Sequence, residues 1–344
     1  MRARHSGVLF LALLGGFFAF AFWGWFLLSL RPPEGPSSPR FFAIRRGESL
    51  ESVALRLERA GLVRSAKAFL LLARIEGAER GVKAGGYRLR PGWAWEVLRA
   101  LVEGRREAVW VTFPEGFTAR QMARRLAEKG LCDERRFLRL FRLGRRAFPE
   151  FEFLPEEGTL EGYLFPDTYL FEMGIDECGI IRVLLRRFEE VVVRGLAGEL
   201  ERSGLSLHEV VTLASLVEKE AKLEEERPLI AGVLLNRLRR GMRLECNASL
   251  LYVLGEPKLW LTKEDLSIDS PYNTYRHKGL PPGPICNPGR ASIVAVLRPR
   301  RTNFLFYVAR PDGSHYFSRT YKEHLKFKAR ARREWRKARG RSSG

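Results

Sequence analysis

The sequence predicts an α+β protein: an N-terminal transmembrane helix, a small α+β module, and a larger α+β domain that carries the chemistry. Three observations predict it. The 23 residues from Val8 to Leu30 carry no charge. Segments 42–62 and 111–131 repeat one pattern of apolar strand, glycine turn and amphipathic helix. Between Leu207 and Met242 runs a pair of helices, the first of them apolar on almost every side, as the centre of a core would be.

With 344 residues, 45% hydrophobic and 29% charged, the chain exceeds one small core and suits two or three domains rather than disorder. Sixty Lys and Arg against 40 Asp and Glu leave a net charge of +20, which suits an anionic partner such as nucleic acid, anionic lipid or an acidic wall polymer. Arginine is spread along the whole chain, so general composition explains the surplus equally well. Cys132, Cys178, Cys246 and Cys286 form no CxxC pair and no zinc-finger spacing with histidine, so no metal site is expected. Disulfides stay open in number and pairing.

As a helix, residues 8–30 reach about 34 Å, enough to cross a bilayer core. Arg2 and Arg4 before the run and Arg31 after it place residues 1–7 in the cytoplasm, by a small margin. Trp23 and Trp25 lie toward the far end, where an interfacial belt belongs. The competing reading is a signal peptide cut after Ala19-Phe20-Ala21, which would leave FWGWFLLSL exposed; a retained anchor fits better. No later stretch reaches spanning length, so a single pass is expected. The Pro/Ser-rich residues 31–40 read as a tether.

In the repeat, Gly47 matches Gly116, Val53 matches Met122, Leu57 matches Leu126 and Gly61 matches Gly130. Ser49 and Thr118 stand at the N-cap positions, and the second glycine of each copy stops the helix. AGGYRLRPG (84–92) reads as a returning strand. Residues 41–106 thereby resemble a LysM module, whose relatives bind N-acetylglucosamine polymers, although a generic α+β packing unit accounts for the same turn and helix signals.

Residues 107–328 form the larger domain. In LHEVVTLASLVEKEAKLEEERPLIAGVLLNRLRRGM, Pro228 suits the first turn of a second helix and Gly241 its end. Glu218 extends the apolar stripe of Val211 and Ala214; a carboxyl so placed is desolvated and holds its proton more firmly, as a general acid toward a glycosidic oxygen requires. Glu220 extends the stripe of Leu213 and Leu216 equally well, and the run Lys219 to Lys222 also fits a helix simply ending in solvent.

The long motifs LEGYLFPDTYLF (160–171), LASLVEKEA (213–221), ERPLIAGVLLNRLRRGMRLE (226–245), DLSIDSPYNTYRHKGLPPGPICNPG (265–289) and YVARPDGSHYFSRTYKEH (307–324) resemble the YceG-like endolytic murein transglycosylases. The resemblance implies that Glu218 is both acid and base. It protonates the oxygen between N-acetylmuramic acid and N-acetylglucosamine, then draws the proton from the muramic acid O6, which attacks its own C1 and leaves a 1,6-anhydro end. Intramolecular attack needs no activated water, so one carboxylate replaces the usual glycosidase pair. No cofactor is implied. The expected partners are peptidoglycan glycan strands, the cytoplasmic membrane and, from the resemblance alone, the glycan polymerases of wall synthesis.

Glu161 and Glu220 then become candidates for orienting or substrate-side roles, each with a purely structural alternative. The rigid loops of 270–289 supply Asn273 and Asn287 to hydrogen-bond sugar substituents and Tyr272 and Tyr275 to stack on sugar faces, unless the asparagines serve turns. Where relatives carry a Ser-Asp-Pro-Thr-like run, this chain reads Cys246-Asn247-Ala248-Ser249, so Asn247 keeps the shape of an acid without its charge. Cys286 also replaces a small residue, which raises a Cys246–Cys286 bridge near the cleft as one of the open pairings. The histidines read as local structure. The basic tail, 329–344, would bind nucleic acid if cytoplasmic; the expected topology puts it outside, facing anionic lipid or wall polymer, or simply solvated. A non-catalytic, membrane-anchored glycan-binding scaffold is the alternative function.

Overall fold

The computed structural model describes residues 2–45, 47–104, 107–255, 258 and 261–342, with backbone alone for 2–12 and 339–342. Met1 of the expected cytoplasmic segment and residues 343–344 of the basic tail lie outside the described residues. The chain divides into two compact units, Met1–Trp110 with Leu170–Ile175, and Val111–Tyr169 with Asp176–Gly344. The mixture of helices and short antiparallel strands is α+β, as the sequence predicts.

In the first unit α1 runs Arg2–Ser29. Its side chains from Leu13 to Leu28 are largely apolar and exposed, Phe20 most of all at 79%. Among the described residues no helix is long and apolar enough to cross a membrane. The end of α1 differs from its middle. Phe26 and Leu30 are buried in one core with Phe42, Leu57, Phe69 and Leu98, and the Leu30 carbonyl accepts the Ala94 N–H at 2.9 Å. Residues 31–39 therefore start and finish on the same core.

That core lies between β1 (Arg40–Ile44), α2 (Leu50–Arg59), α3 (Ala66–Ile75), β2 (Gly85–Leu89) and α4 (Ala94–Glu103). β1 and β2 pair antiparallel with Phe42 opposite Tyr87. The strand-turn-helix unit recurs as β3 (Ala108–Thr112) and α5 (Ala119–Glu128). Ser49 and Thr118 cap α2 and α5 through the N–H groups of Ser52 and Gln121. The matched glycines share one conformation, φ +75° at Gly47 and +77° at Gly116, +63° at Gly61 and +69° at Gly130, which a β-carbon would strain. The repeat is thus a repeat of backbone geometry.

In the second unit α5 is followed by α6 (Glu134–Leu143), α7 (Glu177–Phe188) and α8 (Ala197–Ser203), and between α6 and α7 runs β4 (Thr168–Glu172), which pairs with β3 and whose residues from Leu170 on belong to the first unit. The central helix is α9 (Leu207–Glu220), with Val210 through Val217 all buried. α10 (Arg227–Arg239) carries Pro228 in its first turn. After α11 (Asn247–Leu254) and α12 (Lys263–Ser267), α13 (Arg290–Leu297) packs along α9. The hairpin β5 (Phe306–Ala309) and β6 (His315–Ser318) leads into α14 (Tyr321–Ser342).

The basic tail is the second half of α14. One side of it docks on the hairpin: Phe327 stacks on Tyr316 at 4.9 Å, Trp335 donates to the Ala309 carbonyl, and Ala331 is buried. Glu334, the one acid there, pairs with Arg310 and Arg330. All four cysteines are free. The Cys246–Cys286 bridge raised as one pairing is therefore not formed: Cys246 Sγ faces Tyr307 and the Leu244 carbonyl, while Cys286 Sγ is turned to Ser215 of α9.

Candidate active site

α9 is buried for two turns because its apolar residues occupy successive faces, and that burial carries Glu218 into the protein: its side chain is 6% exposed. The N-terminus of α13 meets it there. Gly289, the N-cap of α13, has no side chain to fill this space, and the Glu218 carboxyl takes it, accepting the Gly289 N–H and the Ser292 hydroxyl. Its Oε2 accepts from Gly289 N at 3.0 Å and from Ser292 Oγ at 2.7 Å, and its Oε1 from Arg227 Nη2 at 3.3 Å. Each of these neighbours donates.

Arg227 stands at the start of α10, where Glu226 anchors the turn by accepting from His315 N at 3.0 Å and lying 2.6 Å from His315 Nδ1. That histidine is local structure. The guanidinium serves three carboxylates: Glu218, Glu115 at 3.6 Å and Glu224 at 3.3 Å. Glu115 belongs to the glycine turn of the second repeat copy, which lies over Glu218. A β-carbon on Gly116 would come within 3.4 Å of Glu218 Cγ, and Lys219 Nζ donates to the Gly116 carbonyl at 3.1 Å.

Behind that turn is a sealed polar node. Asn287, fully buried, accepts from Gly162 N and Leu164 N with Oδ1 and donates to the Phe117 carbonyl and Glu161 Oε1 with Nδ2. Its own backbone exchanges two further bonds with Gly116 and Phe117. Glu161 also accepts the Ala119 N–H at 2.9 Å. Burial pushes the Glu161 carboxyl up to about 8, against the pull of Ala119, Asn287, Tyr252 and Lys219.

A carboxyl raised on folding holds its proton in the native state while the unfolded chain releases it, so stability is full below about 4.5 and is lost as pH rises through about 8. Glu220, also raised by burial, acts with the same sign. Thermal midpoints are expected to fall from pH 5 to pH 8, and Glu161→Gln to flatten that slope. Equal slopes in the two proteins would discard this account.

Of the other expected site residues, Glu220, Asn247 and Tyr275 gather at the start of α11, while Tyr272 lies beside the Glu161 node through Tyr252. Glu220 accepts from the N–H of Ala248 at 3.3 Å, at the start of α11. Next to it Asn247 Oδ1 accepts from the Tyr275 hydroxyl at 2.5 Å. Asn273, fully buried, stabilises a turn: it donates to the Leu266 and Ile268 carbonyls and accepts the Tyr275 N–H. Tyr272 packs on Tyr252 with ring centres 5.2 Å apart. Asn287, Asn273 and Glu161 thus act as scaffold and offer no free face to a sugar. A recess of about 1720 Å³ around His208, Thr212, Arg239 and Arg300 contains none of the Glu218 cluster.

Sequence reading missed Glu115, Arg227 and Ser292. One signal was present: matching Gly47 to Gly116 sets Glu115 against Arg46, a reversal of charge inside an otherwise parallel turn.

Known proteins share this arrangement of chain. An endolytic murein transglycosylase of Bacillus subtilis (strain 168) is 33% identical over 304 residues, 83% of this chain and 82% of that protein. One of Streptococcus pneumoniae serotype 2 is 31% identical over 355 residues, 93% of this chain and 63% of the longer relative. A crystal structure of a yceG-like protein from Listeria monocytogenes superposes with a TM-score of 0.58 at 32% identity, covering 85% of this chain and 99% of that one. The profile of the YceG-like family matches residues 42–330, and the chain belongs to that family.

Proposed function

We propose that this protein is an endolytic peptidoglycan lytic transglycosylase. It cuts the N-acetylmuramic acid to N-acetylglucosamine bond inside nascent glycan strands, leaves 1,6-anhydro ends and so terminates elongation. The observation that carries this reading is Glu218: one deeply set carboxyl, held by donors at a helix start and facing a polar turn, in a chain related to endolytic murein transglycosylases. Glu218 takes the O6 proton and, in the single-carboxyl form of the chemistry, first gives one to the bridging oxygen. Purified protein incubated with intact glycan strands is expected to release internal fragments with anhydro ends. Reducing ends or terminal disaccharides alone would overturn the reading.

The anchor, the module and the tail belong to the same proposal. Residues 8–30 hold the chain in the cytoplasmic membrane with residues 1–7 inside, and the exposed apolar side chains of α1 support this, since water is a poor solvent for them. The β1-α2-α3-β2 order supports a LysM-like glycan-binding role for 41–106. The exposed face of the tail helix suits anionic lipid or wall polymer, and the glycan polymerases are the neighbours expected at nascent strands.

With Phe26 and Leu30 in the core of the module, the reach of the protein from the membrane is set by that docking and not by residues 31–39 alone. Inserting ten flexible residues into 31–39 is expected to leave strand lengths unchanged. The same insertion combined with Phe26→Ser and Leu30→Ser, which removes roughly 3–6 kcal/mol of apolar burial, is expected to lengthen the strands. Glycan chain-length profiles decide this, and an effect of the insertion alone would favour a free tether.

A further inference from the structure

The turn that covers Glu218 is rigid, and it aims a second carboxyl at the same place. Gly116 N donates to the Asn287 carbonyl at 2.9 Å, Asn287 N donates to the Phe117 carbonyl at 2.9 Å, and Lys219 Nζ binds the Gly116 carbonyl. The backbone that carries Glu115 is therefore held in place. The Glu115 carboxyl lies against Gly289, in the space that a β-carbon on that glycine would occupy, and Gly289 is the residue whose N–H binds Glu218. Arg227 Nη2 lies 3.6 Å from Glu115 Oε2 and 3.3 Å from Glu218 Oε1, so one guanidinium nitrogen faces both carboxyls.

The two groups differ in access and in company. Glu115 is 46% exposed and Glu218 is 6% exposed. Every hydrogen-bond partner of Glu218 donates to it, which suits a proton acceptor. Glu115 has no hydrogen bond of its own among the described residues besides the long ion pair to Arg227. Three carboxylates, Glu115, Glu218 and Glu224, surround one guanidinium, and Lys219 is bound to the Gly116 carbonyl.

We propose that Glu115 is the second carboxyl of the reaction, giving its proton to the glycosidic oxygen while Glu218 takes the proton of O6. This rests on the transglycosylase reading above. The step balances without a co-reactant. The bond from the muramic acid C1 to the bridging oxygen breaks, that oxygen leaves as the sugar hydroxyl with the Glu115 proton, and O6 closes on C1 as its proton passes to Glu218. The enzyme is left with Glu115 ionised and Glu218 protonated, and transfer of that proton between them through cleft water restores the starting state.

The electrostatics agree with this division. The Glu115 carboxyl is held above its ordinary value, by burial first and then by the Glu218 charge, with Arg227 pulling it down and Glu224 pushing it up. A proton donor with an open face and a raised pKa suits the acid half of the chemistry.

The test uses the full-length protein in detergent with intact glycan strands, following anhydro ends from pH 4 to pH 9. The wild type is expected to give a bell-shaped profile. Glu115→Gln is expected to lose about 100-fold in rate and to lose the alkaline limb, because a carboxamide has no proton to give. Glu115→Asp is expected to restore part of the rate and the limb. Gly289→Ala keeps the φ of −74° and the N–H to Glu218, but displaces the Glu115 carboxyl, and is expected to act like Glu115→Gln.

A Glu115→Gln protein within threefold of wild type, or one slowed with its profile unchanged in shape, overturns the proposal. If Glu218→Gln is inert in that same experiment, the transglycosylase reading survives and only the role of Glu115 falls. If the wild type itself makes no anhydro ends, both fall.

Discussion

Glu218→Gln is expected to lower the yield of anhydro ends by at least about 100-fold, and by up to about 10⁴-fold, the range that a positioned acid or base contributes. The substitution keeps the volume of the side chain and removes its ability to take or give a proton. It also places an NH₂ group among Gly289 N, Ser292 Oγ and Arg227 Nη2, all of which donate, so one former acceptor is lost. That mismatch costs about 1–3 kcal/mol. A folded but slightly less stable protein is the expected result, and a thermal melt beside the muropeptide profile separates lost chemistry from lost fold. A scaffold that only binds glycan would leave the profile as it was.

The same arrangement explains which parts of the site could be read from the sequence. Burial of a carboxyl at the end of α9 was legible because it depends on one helix, an apolar stripe continued by an acid, while the choice of Glu218 came from the resemblance of the long motifs. The partners of Glu218 come from three other elements, at Glu115, Arg227 and Gly289 with Ser292, two of them far away in the chain and Arg227 across the break between α9 and α10, and no helix pattern reports such contacts. Glu220 satisfied the stripe equally well; only the structure shows that it meets the start of α11 while Glu218 meets the start of α13.

Local rules also gave the repeat, its caps and its four left-handed glycines, since each depends on a few adjacent residues. Exposure is a different matter. Asn287, Asn273 and Glu161 are polar residues on Pro- and Gly-rich or aromatic stretches, and chemistry alone leaves open whether such groups face a sugar or other parts of the chain. Here all three face the chain. Cysteine pairing fails for the same reason, since the neighbours of Cys246 and Cys286 are set by the packing of β5 and α9. The docking of Phe26 and Leu30 was hidden as well, because an uncharged run reads as membrane helix to its end.

Asn287→Ala is expected to have the largest effect on stability of any single change in the site. The truncation removes one acceptor shared by Gly162 N and Leu164 N and two donor contacts, to the Phe117 carbonyl and Glu161, all in a fully buried setting. Each stranded buried group costs about 1–3 kcal/mol, and even with relaxation a loss of about 4 kcal/mol follows, or a fall in Tm of about 10 °C. A loss below about 1 kcal/mol would show that the node is not a support. The fall in activity is expected to exceed what unfolding explains. The Asn287 side chain also holds the Phe117 carbonyl next to the Gly116 turn, so at temperatures where the variant stays folded the turn keeps only its backbone bonds to residue 287 and Glu115 is held less firmly over Gly289. Asn287→Asp separates the two effects. It keeps the acceptor for Gly162 and Leu164, but sets an oxygen against Glu161 where a donor stood. Its stability should approach that of wild type at low pH, where the two acids can share protons, and fall away as pH rises.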